Sequence, residues 1–355
     1  MKVSPQMPGS FEPRPLPWRR TTARAVAPSA RCRRGESMSA GSVDTPEQQH
    51  PTVPTNLRSA GPMHTFETPA PIAVTVELST GNVRIIATDR ADTIVDVRPG
   101  DDSRKAHSGA AAQARVEFAD GALLVKASPP RGLGNYVSVG RGDSIDVTIE
   151  LPSGSQIQGS GTRAVFRSQG RLGDCGFQNV FGNVELDQTG SLDLQTVSGD
   201  LMVEEATGHV KVSSVSGQVR VHRVHGTVEI GSASGDLSVG EASGDLLLNT
   251  GKGRISVEAA HASLRAQTGM GNIRVGEIVC GSVELGTGTG GIEVGVRHGT
   301  AAWVDASSRM GTVHNMLEAH DDPSRFDETV ELRVRGFRDV VIRRSTVGKG
   351  GQGGA

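Results

Sequence analysis

The chain has 355 residues, 47 of them Gly, only 3% aromatic, and a formal charge of −2. So few aromatics do not furnish an ordinary globular core, and a near-neutral charge leaves no electrostatic footprint for nucleic acid. Cys32, Cys175 and Cys280 are odd in number and far apart, which excludes a disulfide framework or a CxxC metal motif and suits a reducing compartment.

Residues 1–62 stand apart. They are rich in Pro and Arg, with a basic stretch from Arg14 to Arg34, and read as a disordered tail that cannot bury enough apolar surface to fold. Arg19-Arg20 is followed by Thr21-Thr22-Ala23-Arg24 rather than an apolar run, so no twin-arginine export signal is read here. No stretch of about 18 apolar residues occurs, so no transmembrane helix is expected and the cytoplasm is the expected compartment. Translation could start at Met38 or Met63, because folded patterning begins just after Met63, with Ile72, Val74, Val76 and Leu78 alternating.

Strands are expected over 68–98, 113–127 and 144–151. They are separated by a charged loop, Pro99 to Gly109, and a Gly/Pro-rich loop, Ser128 to Ser144. Beyond them runs a repeat. Glycines fall at 190, 199, 208, 217, 226, 235, 244, 253 and 271, nine of ten slots nine residues apart, with Ala262 in the tenth. Random placement would fill roughly one slot in eight. The pattern extends less strictly to Gly161 and Gly170 on one side and to Gly281, Gly290 and Gly299 on the other.

Each unit reads Gly, polar, apolar, polar, apolar, two variable residues, small apolar, small polar. Gly217 leads Val219, Val221 and Val224; Gly208 leads Val210, Val212 and Val215; Gly235 leads Leu237, Val239 and Ala242. Alternation with period two is a strand with one buried face, and the Ser-Gly or Thr-Gly ending is a turn. Two units, 18 residues, would close a flattened coil, and stacked coils would lie about 4.8 Å apart as parallel strands. Residues 159–315 would then give roughly nine coils, about 40 Å long. The fold class expected is all-β, a single-stranded β-helix or β-solenoid spanning 63–345, with irregular β caps. The strands before residue 151 are expected to form the N-terminal cap. Val330, Leu332, Val334, Val340 and Ile342, which follow a loop at His320 to Ser324, are expected to form the C-terminal one. The Gly-rich 346–355 reads as a disordered tail. One coil alone cannot offset the entropy of ordering 18 residues, so coils must stabilise one another.

Several segments carry a resemblance. Ser79-Thr80-Gly81-Asn82-Val83-Arg84-Ile85, Asp92 to Val97, Asp146-Val147-Thr148-Ile149-Glu150-Leu151-Pro152 and the serial Ser-Gly-Asp-Leu units resemble a bacterial family of β-strand-repeat proteins, frequent in actinobacteria. It is a domain of unknown function named for a proposed adhesin role. The resemblance covers about 63–345 and includes strands outside the repeat. It implies a β-helix-like fold and no established catalytic residue.

Arg141-Gly142-Asp143 matches a cell-attachment tripeptide, but three-residue matches arise by chance. Asp200, Asp236 and Asp245 follow turn glycines. The slots 18 apart read Asp200, Gln218, Asp236, Arg254, Asn272, so carboxylates do not pair as an acid and a base, and backbone-bonding turn residues are expected. His222 and His225 could seed a metal site, but no third ligand recurs nearby. The repeat lacks the paired Gly and internal Asp of calcium-binding nonapeptides, and Gly286 to Gly291 precedes no Lys-Ser/Thr of a phosphate loop. No catalytic, cofactor or metal residue is therefore assigned. The expected function is a non-catalytic scaffold or adhesin-like binding module, monomeric, with a protein or polysaccharide partner. A carbohydrate-active β-helix enzyme and a self-assembling filament are the alternatives. The charged Arg333-Val334-Arg335 and Arg343-Arg344 segments argue against filament ends.

Overall fold

The computed structural model describes residues 63–100, 114–127, 144–318 and 328–346. The expectations for both tails, for the Arg141-Gly142-Asp143 tripeptide and for most of the three loops fall outside these residues. Those described form strands, turns and bends, without a helix. No helix among them is long and apolar enough to cross a membrane.

The repeat folds as a β-solenoid of two-armed coils. One arm, A, stacks β8 (Cys175–Phe181), β10 (Leu192–Ser198), β12 (Val210–Ser216), β14 (Val228–Ser234), β16 (Leu246–Lys252), β18 (Leu264–Met270) and β20 (Gly281–Thr287). The other, B, stacks β9 (Val184–Thr189), β11 (Leu201–Ala206), β13 (Val219–Val224), β15 (Leu237–Ala242), β17 (Ile255–Ala260), β19 (Ile273–Ile278) and β21 (Ile292–Val296). Every neighbouring pair within an arm is parallel. The expected 18-residue register holds through the centre, where Ser238 pairs with Ser256 and Val210 with Val228. The ends deviate by one residue. Leu192 pairs with Cys175, 17 back, and Leu264 with Val283, 19 on.

Both arms bury aliphatics on alternate residues, but they are not equivalent. In arm A the alternation runs unbroken through the sixth residue, so Val210, Val212 and Ser214 face inward. In arm B the phase breaks after the fourth residue, and Val219, Val221 and Val224 face inward. The nine-residue reading placed Val215 beside Val224 as a third core site. Val215 is in fact 53% exposed, because the uninterrupted strand carries it to the outer face, whereas Val224 is buried at the arm B corner. The corners differ too. Gly199, Gly217, Gly235, Gly253 and Gly271 turn arm A into arm B with φ between 130° and 156°, a region that favours glycine. In the opposite corner Gly190, Gly208, Gly226 and Gly244 lie outside that region and Ala262 takes the next place; Gly281, where the register slips, has a positive φ, 96°.

The chain does not stack its coils in sequence order at either end. β2 (Ala73–Thr88) and β7 (Gln156–Gln169) each run through both arms. β2 lies between β7 on one side and β5 (Ala122–Ala127) and β6 (Ile145–Pro152) on the other, parallel to all three. Outside these sit antiparallel strands: β4 (Arg115–Ala119) on β5, β3 (Asp92–Pro99) on β6, and β1 (Met63–Glu67) on β3. Phe66 of β1 and Phe118 of β4 meet at 5.2 Å across this end. The expected N-terminal cap is therefore only partly a cap, since β2 is an interior coil. The C-terminal end corrects the expectation outright. β24 (Glu328–Gly336) and β25 (Val340–Arg344) insert between β20–β21 and the coil of β22 (Thr300–Ser308) and β23 (Val313–Asn315). Val330, Leu332, Val334, Val340 and Ile342 are consequently fully buried, and the earlier β22–β23 is the outermost coil.

Candidate binding groove

The outer surface of arm A is built from columns, because each strand repeats its outward slots on the strand above. The first outward column reads Asp193, Lys211, Glu229, Leu247, Arg265, Glu284, Arg333, Asp305. Charge alternates wherever two charged residues are neighbours, with Lys211 3.9 Å from Glu229 and Arg265 3.2 Å from Glu284. Such exposed pairs add little stability but keep like charges apart.

The second column runs from Glu77 through Ser160, Gln178, Gln195, Ser213, Gly231, Asn249, Gln267 and Gly286 to Arg335; between its two charged ends it is uncharged and rich in amides. The third carries Val180, Val197 and Val215, 36%, 44% and 53% exposed, and dwindles to Ala233, Gly251 and Gly269. Between these two columns runs a hollow of about 680 Å³, bounded at one end by Glu77 and Ser79. Its continuation over Gly231, Gly251 and Gly269 measures about 590 Å³, and a neighbouring hollow of about 490 Å³ lies on the charged-column side.

The floor is a column of small polar residues turned inward. Thr250, Thr268 and Thr287 donate Oγ1 hydrogen bonds to the carbonyls of Gly235, Gly253 and Gly271, at 3.2, 3.0 and 2.7 Å. They thereby satisfy the tight corner of the coil below. Asn179 donates from Nδ2 to Ala164 O at 2.7 Å. The sequence reading missed the groove residues Gln178, Gln195, Val180, Val197 and Val215. The signal was present at an 18-residue spacing: one third-apolar column reads Ala206, Val224, Ala242, Ala260, Ile278, and the other drifts from Val to Gly, which a packed column does not do.

The residues singled out for chemistry are not brought together. Asp200, Asp236 and Asp245 each accept, through Oδ1, a backbone N–H one coil onward, from Gln218, Arg254 and Ser263 at 2.8, 2.7 and 3.1 Å. They tie coil to coil at the corners. His222 lies 3.9 Å from Glu204 and His225 3.1 Å from Glu205, each paired with a carboxylate of the preceding arm B strand. Among the described residues no group of three or more His, Cys, Asp or Glu could hold a metal ion. Gly286 to Gly291 form a widened corner in which Gly290 N donates to Thr287 Oγ1. Cys175 is a core residue whose thiol is pushed up to about 11 by burial, so it is no ready nucleophile.

The Toastrack DUF4097 family model matches residues 72–332. The chain belongs to this family. It is a domain of unknown function with a β-solenoid fold, as the strand register shows independently. Solved structures similar to the chain include a putative adhesin from Parabacteroides merdae (12% identity, 80% of this chain and 97% of that one, TM-score 0.31). Another, from Bacteroides fragilis, is also described as a putative adhesin (14%, 79% and 95%, 0.29). A third, from Parabacteroides distasonis, is described as a putative lipid binding protein (8%, 80% and 97%, 0.28). No curated protein matches the chain.

Proposed function

We propose that this Toastrack protein is a non-catalytic binding module that lays an extended, uncharged polysaccharide along the arm A groove. The observation that carries the reading is the groove itself. Amide and hydroxyl side chains at Ser160, Gln178, Gln195 and Ser213 face the apolar strip of Val180, Val197 and Val215 across it. Amides supply both donors and acceptors, and an apolar strip suits the C–H faces of sugar rings. Successive groove residues stand one coil apart, about 4.8 Å, so the groove offers the same kind of contact at regular intervals to an extended polymer. The coil backbone fixes the spacing of these positions before binding, so no backbone ordering is needed on recognition. Between Glu77 and Arg335 the second column carries no charge, and the one charged residue lining the groove, Glu77, is acidic, which favours a neutral chain over an acidic one.

No residue is assigned to catalysis, because Asp200, Asp236 and Asp245 are committed to backbone N–H groups. The free thiols of Cys175 and Cys280 support the cytoplasm as the compartment. The test is affinity electrophoresis against a panel of soluble neutral and acidic polysaccharides, run with a Gln178→Ala/Gln195→Ala variant. Retardation by a neutral polymer, relieved in the variant and without release of reducing ends, is the expected result. Equal retardation of both proteins would place binding elsewhere, and release of reducing ends would make the protein an enzyme.

A further inference from the structure

The two ends of the solenoid are finished differently. At the N-terminal end, β1 and β4 are only five residues long, lie antiparallel to the strands beneath, and are plugged by Phe66 and Phe118. Short edge strands of this kind discourage further pairing, and β4 also carries the Arg115–Glu117 ion pair. At the other end, β22 is nine residues long and, among the described residues, forms a ladder only with β24; β23 does so only with β25. Their outer rows of N–H and C=O groups make a sheet edge.

That edge is also apolar. Ala302, Val304, Ala306, Val313 and Leu317 pack on the core but are only partly buried, and Trp303, Met310 and Met316 are 58%, 77% and 63% exposed. Apart from Arg309, which is exposed just after β22, the arginines that would blunt such an edge lie one coil deeper and are occupied. Arg335 binds Asp305 at 2.6 Å, Arg343 binds Glu293 at 2.7 Å, and Arg344 donates to the carbonyls of Arg297 and Thr300, both at 2.9 Å.

We infer that the β22–β23 end docks against the same end of a second copy of this chain, giving a closed two-fold dimer. The strand is self-complementary. Antiparallel pairing of β22 with its copy about Val304 sets Ala302 opposite Ala306 and Val304 opposite Val304, so the apolar interior continues across the joint. The same register sets Trp303 opposite Asp305, the one charged residue of β22, so no charge meets its like. A two-fold contact consumes the exposed edge of both partners, and the plugged N-terminal ends leave no route to longer assemblies.

Sedimentation equilibrium of the full chain tests this. The expected mass at micromolar concentration is twice the 37.0 kDa of the chain. Trp303→Glu, which sets a second carboxylate opposite Asp305 of the copy, and Val304→Lys should each weaken self-association by roughly tenfold or more, as removal of an interface anchor does. Thr65→Lys, at the opposite end, should leave it unchanged. Far-UV circular dichroism reports whether the variants fold; Trp303→Glu changes an exposed side chain and keeps the test valid if Val304→Lys does not fold. A monomer at every concentration would overturn the inference. So would a mass that keeps growing past two chains, or a dimer indifferent to Trp303→Glu.

Discussion

Arm A and arm B of each coil have the same length of sequence and nearly the same composition, yet one presents a groove and the other closes on itself. The difference is a single phase break. Arm B shifts after its fourth residue and turns Ala206, Val224, Ala242, Ala260 and Ile278 into the corner, where they pack. Arm A keeps strict alternation, so a Ser or Thr goes inward and a Val, Ala or Gly goes outward. At Thr250 and Thr268 the inward hydroxyl bonds the carbonyl of the tight glycine corner, Ser214 donates to Ser216 O instead, and Thr196 and Ser232 leave their hydroxyls without a partner among the described residues. A repeat can therefore hold its core with one arm and leave the other free to vary its outer surface.

The glycine corners offer the largest break in this comparison. A Cβ on Gly235 would stand 1.9 Å from Gly217 O, at a φ of 146°. Gly235→Val should cost about 4 kcal/mol or more and abolish cooperative melting, whereas Ala262→Gly, in the opposite corner, should cost less than about 1 kcal/mol. A pair of substitutions in one nine-residue slot comes next. Val224→Asp buries an unpaired charge and should lose about 3–5 kcal/mol in urea titrations; Val215→Asp stays in solvent and should change stability by no more than about 0.5 kcal/mol. Equal losses would mean that the arms are equivalent after all.

Thr250→Val removes the hydroxyl that satisfies Gly235 O and should cost about 1–2 kcal/mol, with Ser213→Ala, on the outer face, silent. The smallest effect is on chemistry rather than stability. Because burial lifts the Cys175 thiol to about 11, the folded protein should leave it unalkylated by iodoacetamide at neutral pH, and mass spectrometry should find it modified only after denaturation. Finally, a fragment of residues 63–345 is expected to melt with the full chain, since the strand pattern starts at Met63; a fragment without β circular dichroism would move that boundary.

Much of the architecture is written locally and could be read without coordinates. The glycine spacing announces the corner, the Val-x-Val alternation announces the buried face, and the pairing of Lys211 with Glu229 across 18 residues announces the coil. The role of Asp200 was legible in kind, though the N–H it accepts belongs to the next coil rather than to its own turn. The groove was hidden because aligning units nine residues apart averages two arms that differ. The order of the end coils leaves no local mark at all. Val330, Leu332 and Val334 alternate in the same way whether the strand is last or last but one, and only the ladder to β22 distinguishes the two.

That order of coils has a consequence for synthesis and turnover. β24 and β25 leave the ribosome after β22 and β23, yet they lie beneath them. Until β24 and β25 arrive, β22 has no parallel partner to dock on, so this end of the solenoid closes only after both have been made. β2, the first long strand made, likewise waits for β6 and β7 before both its edges are covered. The two ends of the solenoid therefore resist pulling differently. A force drawn through β25 meets a strand held on two sides, by β21 and β23, and must dislodge the outer coil before the inner one can be drawn out, whereas β1, among the described residues, is held by β3 alone.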